Sequence, residues 1–266
     1  MTTASIVVHK TPVEELKISL KCLQDSPVNK IYVIDNSPDE SLKKTALTFP
    51  KVGYLHVMNH GYGAGHNIGI KKSIEEGADY HLVMNSDISW KGDIITPLIQ
   101  YLETNKEVGI ITPKTFYPNG ELQYTCRLLP TPFDLLLRAF LPERLYAGRT
   151  SRYLLKHLDH NHPIDSPYIL GSFMMFRNDA LSREGFFDER FFMYPEDIDI
   201  TRRIHENWKT LYWPGVSIVH SHRRESKKNL RMFWIHLTNM VKYFNKWGWI
   251  NDPKRKLFNK ALLDHL

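Results

Sequence analysis

The chain has 266 residues, 42% apolar and 24% charged, with 35 basic and 29 acidic side chains leaving a net charge of +6. These values are ordinary for a folded globular protein with one large domain, or one domain and an appendage. Two cysteines, Cys22 and Cys126, exclude a disulfide framework, and no run approaches the ~20 apolar residues a membrane-spanning helix needs.

In chain order, Ser5 to His9 reads as a strand and Pro12 to Leu23 as a helix. Lys30 to Asp35 is the next strand, closed by the turn signal Asp35-Asn36-Ser37-Pro38. A helix over Asp39 to Phe49 leads to a third strand, Val52 to Met58. The glycine-rich Asn59 to Asn67 then reads as a loop entering a helix that runs to Glu76. His81 to Met84 is a fourth strand ending in Asn85-Ser86-Asp87, Lys91 to Thr104 a helix, and Val108 to Thr112 a strand. This alternation predicts an α/β fold with a mostly parallel sheet between helices. Ligands of such sheets lie beyond the carboxyl ends of the strands, where His9 to Thr11, Asp35, Asn59 to Asn67 and Asn85 to Asp87 converge.

Pro113 to Ser166 has weak periodicity and predicts loops and short helices over the sheet. Ile169 to Phe176 reads as a buried strand, and Asn178 to Glu184 as a short helix stopped by Gly185. Phe186, Phe187, Phe191, Phe192 and Tyr194 form an aromatic run expected in the core, with Pro195 in the first turn of the next helix. Glu196, Asp197 and Asp199 open that helix at its positive end. Ile200, Ile204 and Trp208 mark its inward stripe. At ~100° per residue Asp197 lies roughly 20° from the stripe's centre, Glu196 about 80° and Asp199 about 140°. Asp197 is therefore predicted to point inward, as a structural acid or a general base, with Asp199 toward solvent or a basic neighbour. Trp213 to His222 is a late strand region, and the chain from Asn229 predicts two amphipathic helices broken at Asp252-Pro253.

The candidate chemistry has bland alternatives. Gly61, Gly63, Gly65 and Gly69 miss the dinucleotide register, which leaves either a turn or free N–H groups for a phosphate or ribose. Asp35 can accept from a pyrimidine N3–H or a ribose hydroxyl, or simply form an Asx turn. Asp87 can ligate Mg²⁺ or Mn²⁺ with His220 as second ligand, or both can be structural. His222, Arg223 and Arg224 can offset diphosphate charge. The C-terminal Arg231, Lys242, Lys246, Lys254, Arg255, Lys256 and Lys260, among Trp234, Phe244, Trp247 and Trp249, suit either a membrane-surface helix or a solvated basic face. No nucleic-acid recognition motif is present, so a nucleic-acid partner is not expected. The start carries no signal-peptide pattern, so a cytoplasmic protein is expected.

These motifs together resemble a family 2 glycosyltransferase of the GT-A fold, in its rhamnosyltransferase-like branch. The most specific part is GSFMMFRNDALSREGFFDERFFMYPEDIDITRR, with SIVVHKT, VIDNS, NHGYGAGHNIG and NSD in matching order. The resemblance implies a Rossmann-like unit over residues 1–226, with 113–166 an acceptor-side insertion and 227–266 a helical extension. It implies inverting transfer from a dTDP- or UDP-sugar to a glycan or polyprenyl-linked acceptor in bacterial surface polysaccharide synthesis. By the same resemblance Asp197 is the base and Glu196 orients the acceptor or the base. Donor contacts would come from His9, Thr11, Asp35, Asn36, Gly63, Asn67, Asn85, Ser86, Asp87 and Gly171, with Asp87 and His220 on the metal. One departure is Asn85, which replaces the first acid of the family's D-x-D, so metal binding would lean on the donor's own charge. The alternatives are a sugar nucleotidyltransferase, whose glycine-rich basic loop near the first strand is missing from SIVVHKTP, and a non-catalytic basic membrane-binding module.

Overall fold

The computed structural model describes residues 1–134, 143–221 and 230–264. Four strands, Thr2–Val8 (β1), Lys30–Asp35 (β2), Val52–His56 (β3) and Tyr80–Met84 (β4), run parallel in the order β3-β2-β1-β4. They are linked by the helix Val13–Gln24 (α1), the single turn Lys43–Ala46 (α2) and the helix Tyr62–Glu75 (α3). Their side chains are mainly apolar on the face toward α1, while the face toward α3 also carries the buried polar Thr3, Ser5 and His81.

The glycine-rich stretch departs from expectation. Only residues 59–61 are loop, and the rest forms the first turns of α3. The glycines there bring the helix close to its neighbours. A Cβ at Gly65 would sit 2.7 Å from Val7, one at Gly69 2.7 Å from Ser5, and one at Gly63 2.8 Å from Phe187. Beneath α3 runs a polar seam in which Ser5 Oγ meets His66 Nδ1 at 2.7 Å and His81 Nε2 at 2.8 Å. Burial pushes the His81 imidazole down to about 3, so the seam carries no charge there at neutral pH.

Beyond β4 the sheet is no longer purely parallel. Ile88–Ser89 (β5) and Ile95–Thr104 (α4) lead to Val108–Phe116 (β6), but β6 does not pair with β4. Phe173–Arg177 (β11) lies between them, antiparallel to both. The expected strand Ile169 to Phe176 is in fact two pieces. Tyr168–Ile169 (β10) pairs with Cys126–Arg127 (β8), and the chain turns through residues 170–172 before β11 begins. The 113–166 stretch also holds strands that the sequence did not predict. Leu122–Gln123 (β7) pairs with β6, while Ile164–Asp165 (β9) follows the helix Ala147–Tyr153 (α5).

After β11, the short helix Asn178–Glu184 (α6) ends at Gly185, whose φ of +83° suits glycine. Of the aromatic run, Phe187 and Phe191 are fully in the core, and the rest are half-buried. Glu196–Ile204 (α7) follows, with Pro195 at its cap, one position earlier than expected. Lys209–His220 (β12) then pairs parallel to β6 and, at its end, antiparallel to β5. The predicted C-terminal pair is observed as Leu230–Trp247 (α8) and Pro253–Asp264 (α9). These helices share a core with β8, β10 and Ile198 of α7. A buried Arg202 locks them in place, pairing with Asp252 at 2.5 and 2.7 Å and lying 4.0 Å over the Trp247 ring. Among the described residues no helix is long and apolar enough to cross a membrane.

Candidate active site

The site forms where β4, β5, β12 and α7 meet. The register of β12 on β5 sets His220 opposite Ile88, and Ser221 N donates to Asp87 O at 2.9 Å. His220 Nε2 thereby lies 3.2 Å from Asp87 Oδ1. Two cis ligands on an octahedral cation stand about 3 Å apart, from bonds of roughly 2.1 Å, so this pair fits a shared divalent ion. Among the described residues no group of three or more His, Cys, Asp or Glu side chains gathers, and donor phosphate and water can supply further oxygen ligands. The Asn85 amide lies 3.4 Å from His220 Nε2 and 2.8 Å from the Tyr62 hydroxyl, whose single proton it shares with the Gly171 carbonyl.

Beside α7, the broken strand presents Gly171. Its N–H donates to Asp197 Oδ2 at 2.9 Å, and its carbonyl accepts from Tyr62 at 2.8 Å. A Cβ on Gly171 would stand 3.0 Å from the Asp197 Cβ, so a side chain there would crowd the carboxylate. Asp197 Oδ1 accepts the Ile198 N–H at 2.8 Å. Neither Asp197 nor Glu196 makes an ion pair among the described residues, although they are 6% and 4% exposed. Burial pushes the Asp197 carboxyl up to about 6, with the Gly171 N–H and the Arg127 charge opposing the rise. Burial and the charge of Asp197 push Glu196 well above the carboxylate range, and its Oε2 has no hydrogen-bond partner. Burial thus disfavours the charged form of both carboxyls. Just before them, Tyr194 holds a φ of +91°, rare for a bulky residue and a mark of backbone strain beside the acids.

The sequence-derived donor residues fall into two groups. Asn36 is buried at the β2 end with an unpartnered Oδ1. His9 is exposed beside it, with Nδ1 2.8 Å from Asn36 O, and Thr11 is half-buried. Asp35 forms the Asx turn, with Oδ1 accepting Ser37 N at 2.8 Å and Oδ2 the Tyr54 hydroxyl at 2.6 Å. A base could reach it only through a remaining lone pair. Three others face elsewhere. Asn67 spends both amide protons on Phe187 O and Glu189, each at 2.9 Å, and clips the aromatic segment to α3. Gly63 packs on Phe187, and Ser86 Oγ donates to Glu15 at 2.8 Å. His222, Arg223 and Arg224 lie outside the described residues.

Residues 6–185 match the family model described as Glycosyl transferase family 2. The chain belongs to that family. Among its relatives, the N-acetylglucosaminyl-diphospho-decaprenol L-rhamnosyltransferase of Mycobacterium tuberculosis is 26% identical over 223 residues, 78% of this chain and 71% of the relative. Rhamnosyltransferase WbbL of Escherichia coli K12 is 25% identical over 243 residues, 88% of each chain. Among solved structures, GalNAc-T7 with UDP, GalNAc and Mn²⁺ superposes with a TM-score of 0.68 at 16% identity, covering 93% of this chain but 48% of that one. The fold is therefore GT-A, and this chain spans about half the length of that neighbour.

Membership in glycosyl transferase family 2 sets aside the nucleotidyltransferase and the non-catalytic alternatives. It also directs attention to residues that sequence patterns passed over. Tyr62, within the glycine run, bridges Asn85 and Gly171, and burial then the charges of Glu196, Asp197 and Asp87 keep its phenol protonated. Tyr168 reaches Asp197 Oδ2 at 3.5 Å with Arg127 stacked 5.5 Å from its ring centroid. Gln123 meets His220 Nδ1 at 2.8 Å. The signal for Tyr62 was present, since the residue interrupts a run of glycines. Nothing in the sequence marked Gln123.

Proposed function

We propose that this family 2 glycosyltransferase inverts configuration as it moves a sugar from a nucleotide-diphosphate donor to a hydroxyl of a glycan or polyprenyl-linked acceptor. Rhamnose from a dTDP donor is the leading sugar, supported by two relatives whose names state rhamnosyl transfer. The observation that carries the proposal is Asp197: a buried carboxylate with no ion pair among the described residues, held by two backbone N–H groups and poised to ionise near neutrality.

Asp197 takes the proton from the acceptor hydroxyl as that oxygen attacks the anomeric carbon, on the side opposite the leaving diphosphate. Glu196, beside Asp197, orients the acceptor or the base. Gly171 and Tyr62 hold the base in place from behind. Asn36, whose buried Oδ1 lacks a hydrogen-bond partner, marks the place for a pyrimidine base, with His9, Thr11 and Asp35 around it. Asp87 and His220 would hold Mg²⁺ or Mn²⁺, which when bound neutralises charge on the leaving diphosphate.

The C-terminal helices support a peripheral membrane contact. Leu230, Phe233 and Trp234 are exposed at one end of α8 and Trp249 and Ile250 just beyond the other, with Lys242 exposed between them. An acceptor on a lipid carrier would be met at such a surface. The deciding experiment uses Asp197→Asn with a panel of nucleotide sugars, with and without Mn²⁺. Thermal shifts identify the donor, and transfer to a lipid-linked acceptor is followed by product analysis. The variant is expected to keep the donor's thermal shift and lose transfer; transfer at the wild-type rate would remove Asp197 from the chemistry.

A further inference from the structure

We propose that Gln123 is a positioning residue that sets which nitrogen of His220 carries the proton, and so whether Asp87 and His220 can share a divalent cation. The proposal rests on the reading of that pair as metal ligands. His220 is 1% exposed, and its two nitrogens face different groups. Nδ1 lies 2.8 Å from Gln123 Oε1, whereas Nε2 lies 3.2 Å from Asp87 Oδ1 and 3.4 Å from Asn85 Nδ2. Gln123 reaches the ring because β7 and β12 flank the end of β6 from opposite edges. Thr115 pairs with Gln123 on one side and with Ile218 on the other.

A neutral imidazole carries one N–H. Facing a carboxylate without a cation, the favoured tautomer puts that proton on Nε2, toward Asp87. Nδ1 is then a bare acceptor and needs a donor. Ligation requires the opposite state, with a lone pair on Nε2 and the proton on Nδ1, where an acceptor must receive it. A glutamine amide meets either demand by turning over, without adding charge. In the structure Gln123 presents its oxygen to Nδ1, the orientation that suits the ligating tautomer. An aspartate in place of Asn85, whose amide lies 3.4 Å from Nε2, would set a second carboxylate against that nitrogen and favour the proton on the ligating atom. The short strand β7 serves to bring this amide, 3% exposed, against the ring.

The test measures Mn²⁺ affinity by electron paramagnetic resonance on the full chain with a nucleoside diphosphate present. Wild type is compared with Gln123→Glu, Gln123→Met, Asp87→Ala and His220→Ala. Glutamate only accepts, so Gln123→Glu is expected to bind Mn²⁺ at least as tightly as wild type. Methionine can neither accept nor donate well, so Gln123→Met is expected to lose roughly 10- to 100-fold. Nitrogen-15 shifts of the His220 ring with Mg²⁺ and nucleotide should report an N–H on Nδ1 in wild type and a mixed population in Gln123→Met. Wild-type Mn²⁺ affinity in Gln123→Met, while Asp87→Ala and His220→Ala both lose it, would overturn the role of Gln123 alone. Unchanged affinity in all four variants would overturn the metal pair and the Gln123 proposal with it.

Discussion

The helix Glu196–Ile204 has two sides built on opposite principles. One side carries Glu196 and Asp197, buried, with Asp197 held by backbone N–H groups and a tyrosine and neither in an ion pair among the described residues. Its outer side carries Asp199, which pairs with Arg203 at 2.9 Å and Lys246 at 2.6 Å and accepts from Trp247 at 2.8 Å. One turn on, Arg202 is bound by Asp252. Compensated buried charge fastens the C-terminal helices to α7, whereas Asp197 has only the more distant Arg127 charge and backbone N–H groups to offset its burial. A fold gains nothing from leaving a carboxylate desolvated and without an ion pair, so this side is where burial costs stability.

The two sides also respond to pH with opposite sign. The folded-state values of Glu196 and Asp197 are raised, so the folded chain holds more protons than the unfolded one between the ordinary carboxylate range and those values. Stability falls as pH rises through that interval. Burial works against ionised Asp252, but the Arg202 hydrogen bonds hold it below the usual range, and Arg190 with Lys246 does the same for Asp188. What they contribute is present above that range and is lost as pH falls.

Four substitutions would break or sharpen this contrast. Asp197→Asn should lower kcat by roughly 10²- to 10⁴-fold, the span of general-base catalysis, while thermal melting stays at or above wild type. Arg202→Met leaves Asp252 with weaker partners, so chemical denaturation should show a loss on the order of 3 kcal/mol, with transfer per folded molecule little changed. Gly171→Ala presses on the Asp197 Cβ and should cost roughly 10- to 100-fold in kcat with donor affinity retained, as steady-state kinetics would show. Glu196→Gln should raise stability at neutral pH by on the order of 1 kcal/mol and flatten the pH dependence of melting above the carboxylate range. If Glu196→Gln and Arg202→Met moved stability in the same direction, the two sides would not differ as described.

Much of this was legible from residue patterns. The four parallel strands, the inward aim of Asp197 and the two tail helices follow from periodicity and turn residues alone. Other features depend on neighbours distant in sequence. Residues 62–67 form helix because their glycines let α3 sit against Val7, Ser5 and Phe187, partners that no local pattern announces. The antiparallel β11 is invisible to an alternation rule, since a strand buried on both faces reads the same in either direction. Asn67 looked like a donor ligand and instead clips Phe187 and Glu189, while Gln123 reaches its histidine across 97 residues of chain. Asp199 was expected to face solvent or a basic neighbour, and the tail supplied the neighbour.

The pH dependence of kcat/KM tests the central claim most directly. A buried Asp197 acting as base predicts a plateau at neutral pH and a tenfold fall per unit below an apparent pKa of about 6. That acid limb should vanish from the residual rate of Asp197→Asn. A limb that persists unchanged in Asp197→Asn, or a wild-type profile flat down to the ordinary carboxylate range, would contradict it.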